Sequence, residues 1–436
     1  MMDAAVLSAV VLFGSFFFML FLGFPVAFGI GLASVLALVS YADWELALNA
    51  AAQGLATGVD GFTFLAIPLF VIAGGIMNRG SIALRLINLT KVIAAPLPGA
   101  LAHANIIANT LFGALAGIAS AAAMAVGGTI SPHAKKEGYH SDFMAAVNAA
   151  SAPSGLVIPP SASLILFSLY SGGTSIAALF VAGYLPGLLW CLSVMIPALY
   201  FTIKHKYPTE RMPAFKRIMQ AVWQAAPPLL LIFAIIGGIV GGLFTATEAA
   251  GMAVLFSFIL SFIYRELSLK DLPGIFIDAI IPSAICIFLV AASGIMGWAL
   301  SFASIPSMIS DFILSVSDNK IVLLILINLM LLLVGTFLDL TPAVIIFTPI
   351  LMPVFNMLGL DPVHVGIMMV FNLSIGLITP PVGTLLFVAC SIADIPFQKI
   401  IRPIMPIIGM LIVSLMLITF FPEISLFVPR LFGLVH

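Results

Sequence analysis

The chain reads as an all-α polytopic membrane protein, an inverted repeat with two re-entrant hairpins and two broken helices. Three observations carry that reading. The 436 residues are 62% hydrophobic and only 8% charged, whereas a soluble domain carries about 25% charged residues. The sequence also contains itself twice: Ser154-Gly155-Leu156-Val157-Ile158-Pro159-Pro160 recurs as Ile375-Gly376-Leu377-Ile378-Thr379-Pro380-Pro381, 221 positions later. The same offset sets Ser120 against Thr341 and Ser163 against Thr384. Finally, Gly and Pro interrupt apolar segments at corresponding places in the two halves, which points to a ligand site near the bilayer midplane.

Taken in order, residues 4–22, 24–40, 178–201, 228–244, 249–264, 280–300 and 403–422 are apolar runs suited to membrane helices. Residues 43–58 are weakly amphipathic, and 62–77 form a further span. The first repeat covers 1–215 and the second 216–436. The first basic residue is Arg79; a secretory signal needs a basic start, so 4–22 is read as a retained helix. Cys191, Cys286 and Cys390 sit in apolar segments without a Cys-x-x-Cys pair and read as buried thiols.

Charge placement gives the orientation. Of the 16 Lys and Arg residues, 14 fall in five loops, around Arg79–Lys91, Lys135-Lys136, Lys204–Arg217, Arg265–Lys270 and Lys399–Arg402. Placing these loops in the cytoplasm satisfies the positive-inside rule. It works only if two stretches are not full spans. Residues 98–133 start and end near basic residues and break at 113–120. Each arm is then about 14 residues or ~20 Å, short of the ~30 Å hydrocarbon core. Residues 321–353 break at 335–342 and are followed by a loop without Lys or Arg. One hairpin therefore enters from inside and the other from outside, as an inverted repeat requires.

Each hairpin precedes a helix broken at the shared motif, about 141–170 and about 363–392. Proline removes a backbone donor and disfavours helix in the residue before it. Irregular backbone at membrane depth is tolerated only inside protein or along an aqueous cavity. Freed carbonyls and hydroxyls there suit a small hard cation, and half-helix N-termini attract an anion. The candidate cation oxygens come from Gly117, Ser120, Ser154, Gly155 and Pro159 in the first repeat. In the second they come from Gly335, Asp339, Thr341, Gly376, Thr379 and Pro380. Ser161, Ser163 and Thr384 are the candidate substrate contacts.

Asp339 stands out because an intramembrane acid is costly and marks function by default. It reads as a sodium ligand; a helix cap or a protonated acid are the alternatives, and the latter leaves proton coupling open. Glu248 reads as a cap of the following helix, and Asp142 as a cap after the first hairpin. No Lys or Arg lies inside a membrane segment, so a bound carboxylate would be met by dipoles, hydroxyls and co-bound cations. The sequence holds no phosphate-binding loop and no nucleophile–base signature, and nothing calls for an organic cofactor or nucleic acid. His133 and His140 are seven apart and read as loop residues, not metal ligands.

Asn109-Thr110-Leu111-Phe112-Gly113, Lys135-Lys136-Glu137-Gly138-Tyr139, the Ser154–Ser161 motif, Gly242 through Ala250 and Gly376 through Gly383 resemble the large membrane subunit of TRAP (tripartite ATP-independent periplasmic) transporters. The resemblance spans nearly the whole chain. It implies an elevator-type fold in the bacterial inner membrane, driven by sodium. It implies a small four-helix membrane subunit and a periplasmic substrate-binding protein as partners. Organic acids such as C4-dicarboxylates or sialic acid are the implied substrates. The first hairpin tip departs from the family in carrying few hydroxyls (Gly117-Ile118-Ala119-Ser120-Ala121-Ala122), which shifts cation coordination there toward backbone carbonyls. A self-sufficient sodium–carboxylate symporter of related fold is the second reading. An intramembrane enzyme is the third, with Asp339 alone as its candidate group.

Overall fold

Apolar runs dictate helices because a backbone in lipid must satisfy its own hydrogen bonds. The computed structural model describes residues 2–79, 82–209, 213–264, 267–268, 270–317 and 319–435, and these fold into helices without a strand. The first half holds α1 (Met2–Phe21), α2 (Val26–Tyr41), α3 (Trp44–Thr57), α4 (Ala66–Arg79), α5 (Ile82–Ala94), α6 (Ala100–Ala116) and α7 (Ala119–Lys136). It continues through α8 (Ser141–Ser151), α9 (Ser154–Val157), α10 (Ala162–Tyr170), α11 (Ile176–Ala182) and α12 (Tyr184–Lys204). The second half holds α13 (Phe215–Val240), α14 (Ala246–Ile263), α15 (Leu272–Phe302), α16 (Ile305–Val316) and α17 (Lys320–Phe337). It ends with α18 (Leu340–Met357), α19 (Pro362–Gly376), α20 (Thr384–Ala393), α21 (Phe397–Phe420) and α22 (Glu423–Leu431). Among the described residues, seven helices are long and apolar enough to cross a membrane, or up to nine if each of two bent pairs is one span.

Several elements differ from what apolar runs alone suggest. The run beginning at residue 228 belongs to a helix that starts at Phe215 and carries Pro227 and Pro228 in its interior. The hairpin arms are 17 and 18 residues in the first half, and 18 and 18 in the second. They exceed the expected 14 because the helices run into the expected breaks at 113–120 and 335–342, and α7 and α18 continue through Pro132 and Pro353. At 1.5 Å per residue each arm covers about 26–27 Å, close to the core thickness. Arg211 and Arg265, counted among the basic loops, lie outside the described residues.

Helix ends follow local chemistry. Thr245 and Glu248 form a capping box at α14, with Thr245 N donating to Glu248 Oε2 at 2.8 Å. Asp142 accepts from Phe143 N at 2.8 Å in the first turn of α8. Asp361 caps α19 by accepting from Val363 N at 2.7 Å.

Two groups of helices pack together. In one, α15 lies against α2, α3 and α4, and α14 lies against α4. In the other, α6 packs on α8 and α9, and α17 packs on α19. The two halves interlock there: α10 packs against α18, while α20 packs against α7 and α8.

Small residues set the closest approaches. An added Cβ at Gly155 would lie 2.2 Å from the carbonyl carbon of Gly113, and one at Gly376 would lie 2.3 Å from that of Gly335. Each first hairpin arm thus crosses its broken helix backbone to backbone. Such crossings use van der Waals packing, the main source of helix association in lipid.

Candidate functional site

The two hairpins turn at matched positions. α6 ends at Ala116, and Gly117 takes a left-handed conformation (φ 63°) that glycine adopts without steric cost. α7 then restarts at Ala119. In the second half α17 ends at Phe337, Asp339 is the N-cap of α18, and its carboxylate accepts from Leu340 N at 3.0 Å.

Both broken helices break at the shared Pro-Pro. The Pro159-Pro160 and Pro380-Pro381 bonds are both cis, and the first pair of segments is bent by 48°. Pro227-Pro228, inside α13, shows that the dipeptide alone does not make a break.

A cavity of about 550 Å³ lies between the two tips. Its wall holds Gly117 and Ser120 from one tip and Asp339 and Thr341 from the other, with Ser163 and Thr384 from the two broken helices. Four helices open onto it by their N-terminal residues: α7 through Ala119 and Ser120, α18 through Leu340 and Thr341, α10 through Ala162 and Ser163, and α20 through Thr384 and Leu385. Helix N-termini carry unpaired N–H groups and partial positive charge, so their convergence favours an anion. Among the described residues, Asp339 is the one charged residue on the wall. Asp339 lines the cavity, and one of its carboxylate oxygens caps α18.

The remaining predicted residues do not line this cavity. Ser161 is buried as the N-cap of α10, donating to Leu156 O and accepting from Leu164 N. Ser154 is buried and donates to Ser151 O at 2.6 Å, with Thr110 Oγ1 at 3.1 Å. Thr379 Oγ1 donates back to Ile375 O at 2.7 Å. Gly155, Gly335 and Gly376 form the backbone crossings described above, and Pro159 and Pro380 sit at the cis bonds.

Sequence reasoning missed much of the apolar wall. Leu156 and Leu377 line it from the two breaks, at the repeat offset of 221, and the motif itself carried that signal. Phe28, Ile67, Cys286 and Phe288 line it from α2, α4 and α15. Nothing in their apolar runs distinguishes them from residues facing lipid.

A buried polar lattice stands behind the first tip. Asn109 Nδ2 lies 2.9 Å from Asn105 Oδ1, 2.9 Å from Asn148 Oδ1 and 2.8 Å from Ser151 Oγ. Behind the second tip, Asn372 Nδ2 donates to Asn328 Oδ1 at 2.8 Å and Asn328 O at 2.9 Å. Gln- and Asn-type groups buried this way are costly unless bonded, so each lattice joins a hairpin arm to its broken helix.

Sequence comparison places the chain. Residues 13–424 match the family model of the tripartite ATP-independent periplasmic transporter, DctM component. The chain is 51% identical to an uncharacterized protein, YgiK, of Salmonella typhimurium, over 97% of this chain and 98% of the relative. It is 36% identical to the sialic acid TRAP transporter large permease protein SiaM of Vibrio cholerae, over 95% of this chain and 96% of the relative. A C4-dicarboxylate TRAP transporter large permease protein, DctM of Vibrio cholerae, is 34% identical over 95% of each chain. In structure the chain is similar to the YdaH transporter of Alcanivorax borkumensis, with a TM-score of 0.62 at 13% identity, covering 88% of this chain and 89% of that one. The chain belongs to the tripartite ATP-independent periplasmic transporter family, as its DctM component, the large permease subunit.

Proposed function

We propose that this permease imports an organic acid across the bacterial inner membrane, coupled to sodium and moved by an elevator-type displacement of the hairpin-bearing helices. The carrying observation is the tip cavity, where four helix N-termini meet a single acid, Asp339. The N-termini suit a carboxylate. Asp339, Thr341 and the carbonyls around Gly117 suit a hard cation that prefers oxygen ligands. With no Lys or Arg among the described residues of the wall, a co-bound cation offsets the anion's charge in the low-dielectric interior.

In this reading the two halves are oppositely oriented in the membrane, so each supplies one tip from its own side. Relatives named for sialic acid and for C4-dicarboxylates support an organic acid as the substrate class. A small membrane subunit and a periplasmic binding protein complete the transporter. The driving force is adequate without ATP: one net charge moved inward gains about 2.3 kcal/mol per 100 mV, and the sodium gradient adds to this.

The test is uptake into proteoliposomes containing this permease and its partners, with labelled sialic acid and labelled succinate as probes. Accumulation should need an inward sodium gradient and the binding protein. Full-rate uptake in sodium-free buffer would overturn the coupling. Uptake by this chain alone would favour the self-sufficient symporter.

A further inference from the structure

A second cleft, of about 400 Å³, lies between α5, α7 and α13 and shares no wall residue with the tip cavity. Its chemistry is different. Asn88 and Lys91 face it from α5, three residues apart, while Arg217, Gln220 and Gln224 face it from one side of α13. His133 and Glu137 close it from the end of α7. Among the described wall residues, two basic side chains, Lys91 and Arg217, thus stand against one carboxylate. Among the described residues, neither Lys91 nor Arg217 forms an ion pair.

Position narrows the ligand. α13 has 26 residues, about 39 Å of helix, against a hydrocarbon core of ~30 Å. Arg217 lies in its first turn, where the excess length places it among headgroups. Basic pockets between membrane helices are a recurring way to bind anionic headgroups. Guanidinium, ammonium and amide groups are all donors, and phosphate oxygens are all acceptors. The volume falls in the range of small-molecule sites, about 300–1,000 Å³.

We infer that this cleft binds a phosphate-bearing anion, anchored by Lys91 and Arg217 and oriented by Asn88, Gln220 and Gln224. A bound headgroup would touch the second arm of the first hairpin and its neighbours α5 and α13 at once. Occupancy would therefore bear on how that hairpin sits, whatever the transported substrate is.

The test uses the full-length permease in phosphatidylcholine nanodiscs, with two arms: added phosphatidylglycerol, or inorganic phosphate in the buffer. Thermal melting and native mass spectrometry are the readouts. The wild-type protein should melt higher with phosphatidylglycerol and retain it. Lys91→Gln/Arg217→Gln should weaken the anion's apparent affinity at least tenfold, and Lys135→Gln, outside the cleft wall, should leave it unchanged. The single Arg217→Gln variant, at an exposed position, gives the same readout if the double variant folds poorly. A response to phosphatidylglycerol alone identifies a lipid headgroup, and a response to phosphate as well identifies a site open to soluble anions. No response to either, or an equal response in wild type and Arg217→Gln, would overturn the inference.

Discussion

Ser193 Oγ and Ser414 Oγ lie 2.6 Å apart in the buried interior, and their residue numbers differ by the same 221 positions that relate the repeated motifs. In the proposed inverted repeat, a position that touches its own counterpart lies next to the axis relating the two halves. Here that contact joins α12 to α21, which pack together. Polar contacts between membrane helices are worth about 0.6 kcal/mol on average and ~1.7 at most. A double-mutant cycle of Ser193→Ala and Ser414→Ala, followed by unfolding in mixed micelles, should return a coupling in that range. Zero coupling would reduce the pair to steric neighbours.

The glycine crossings predict a sharper loss. Gly155→Ala would force a Cβ within 2.2 Å of Gly113, and Gly376→Ala within 2.3 Å of Gly335. The opposing atoms are backbone, so they cannot rotate away. Overpacking of this kind costs about 1–3 kcal/mol or more. Both variants should melt lower than wild type and transport poorly. Gly128→Ala and Gly237→Ala, with nothing within 4 Å of the added carbon, should be neutral or slightly stabilising.

Asn109→Ala tests the polar lattice. It removes the amide shared by Asn105, Asn148 and Ser151 and strands buried acceptors at about 1–3 kcal/mol. The melting temperature should fall, whereas Asn356→Ala, at an exposed position, should leave it unchanged. Equal melting of Asn109→Ala and wild type would show that water replaces the lost donor.

Asp339→Asn keeps the volume and the cap at Leu340 N while removing the charge. We predict that the sodium concentration for half-maximal uptake rises at least tenfold, about 1.4 kcal/mol of cation binding. An unchanged sodium dependence would refute a ligand role and leave Asp339 as a helix cap.

Legibility in the sequence followed the physics of each feature. Membrane helices and the two tips were readable because composition and Gly-Pro breaks act locally. Gly117, Ser120, Asp339, Thr341, Ser163 and Thr384 share one cavity wall, and the repeat offset pairs Ser120 with Thr341 and Ser163 with Thr384. Ser154 and Ser161 looked equally suitable, but their hydroxyls are committed to bonds within the protein, which depends on the local fold. The apolar run read as 228–244 extends back to Phe215 straight through Pro227-Pro228. Phe28 and Cys286 were invisible because an apolar side chain facing a cavity has the same sequence pattern as one facing lipid.

Substrate and sodium are proposed to bind between the two tips. Cys286 lines that cavity and is half-buried, whereas Cys191 and Cys390 are buried. The rate of Cys286 modification by a small maleimide therefore reports on the cavity directly, with Cys286→Ser as the blank. In the reconstituted transporter, sodium together with the transported acid should slow labelling several-fold, and potassium with the same acid should not. Labelling that proceeds at one rate under saturating sodium and substrate would contradict the claim.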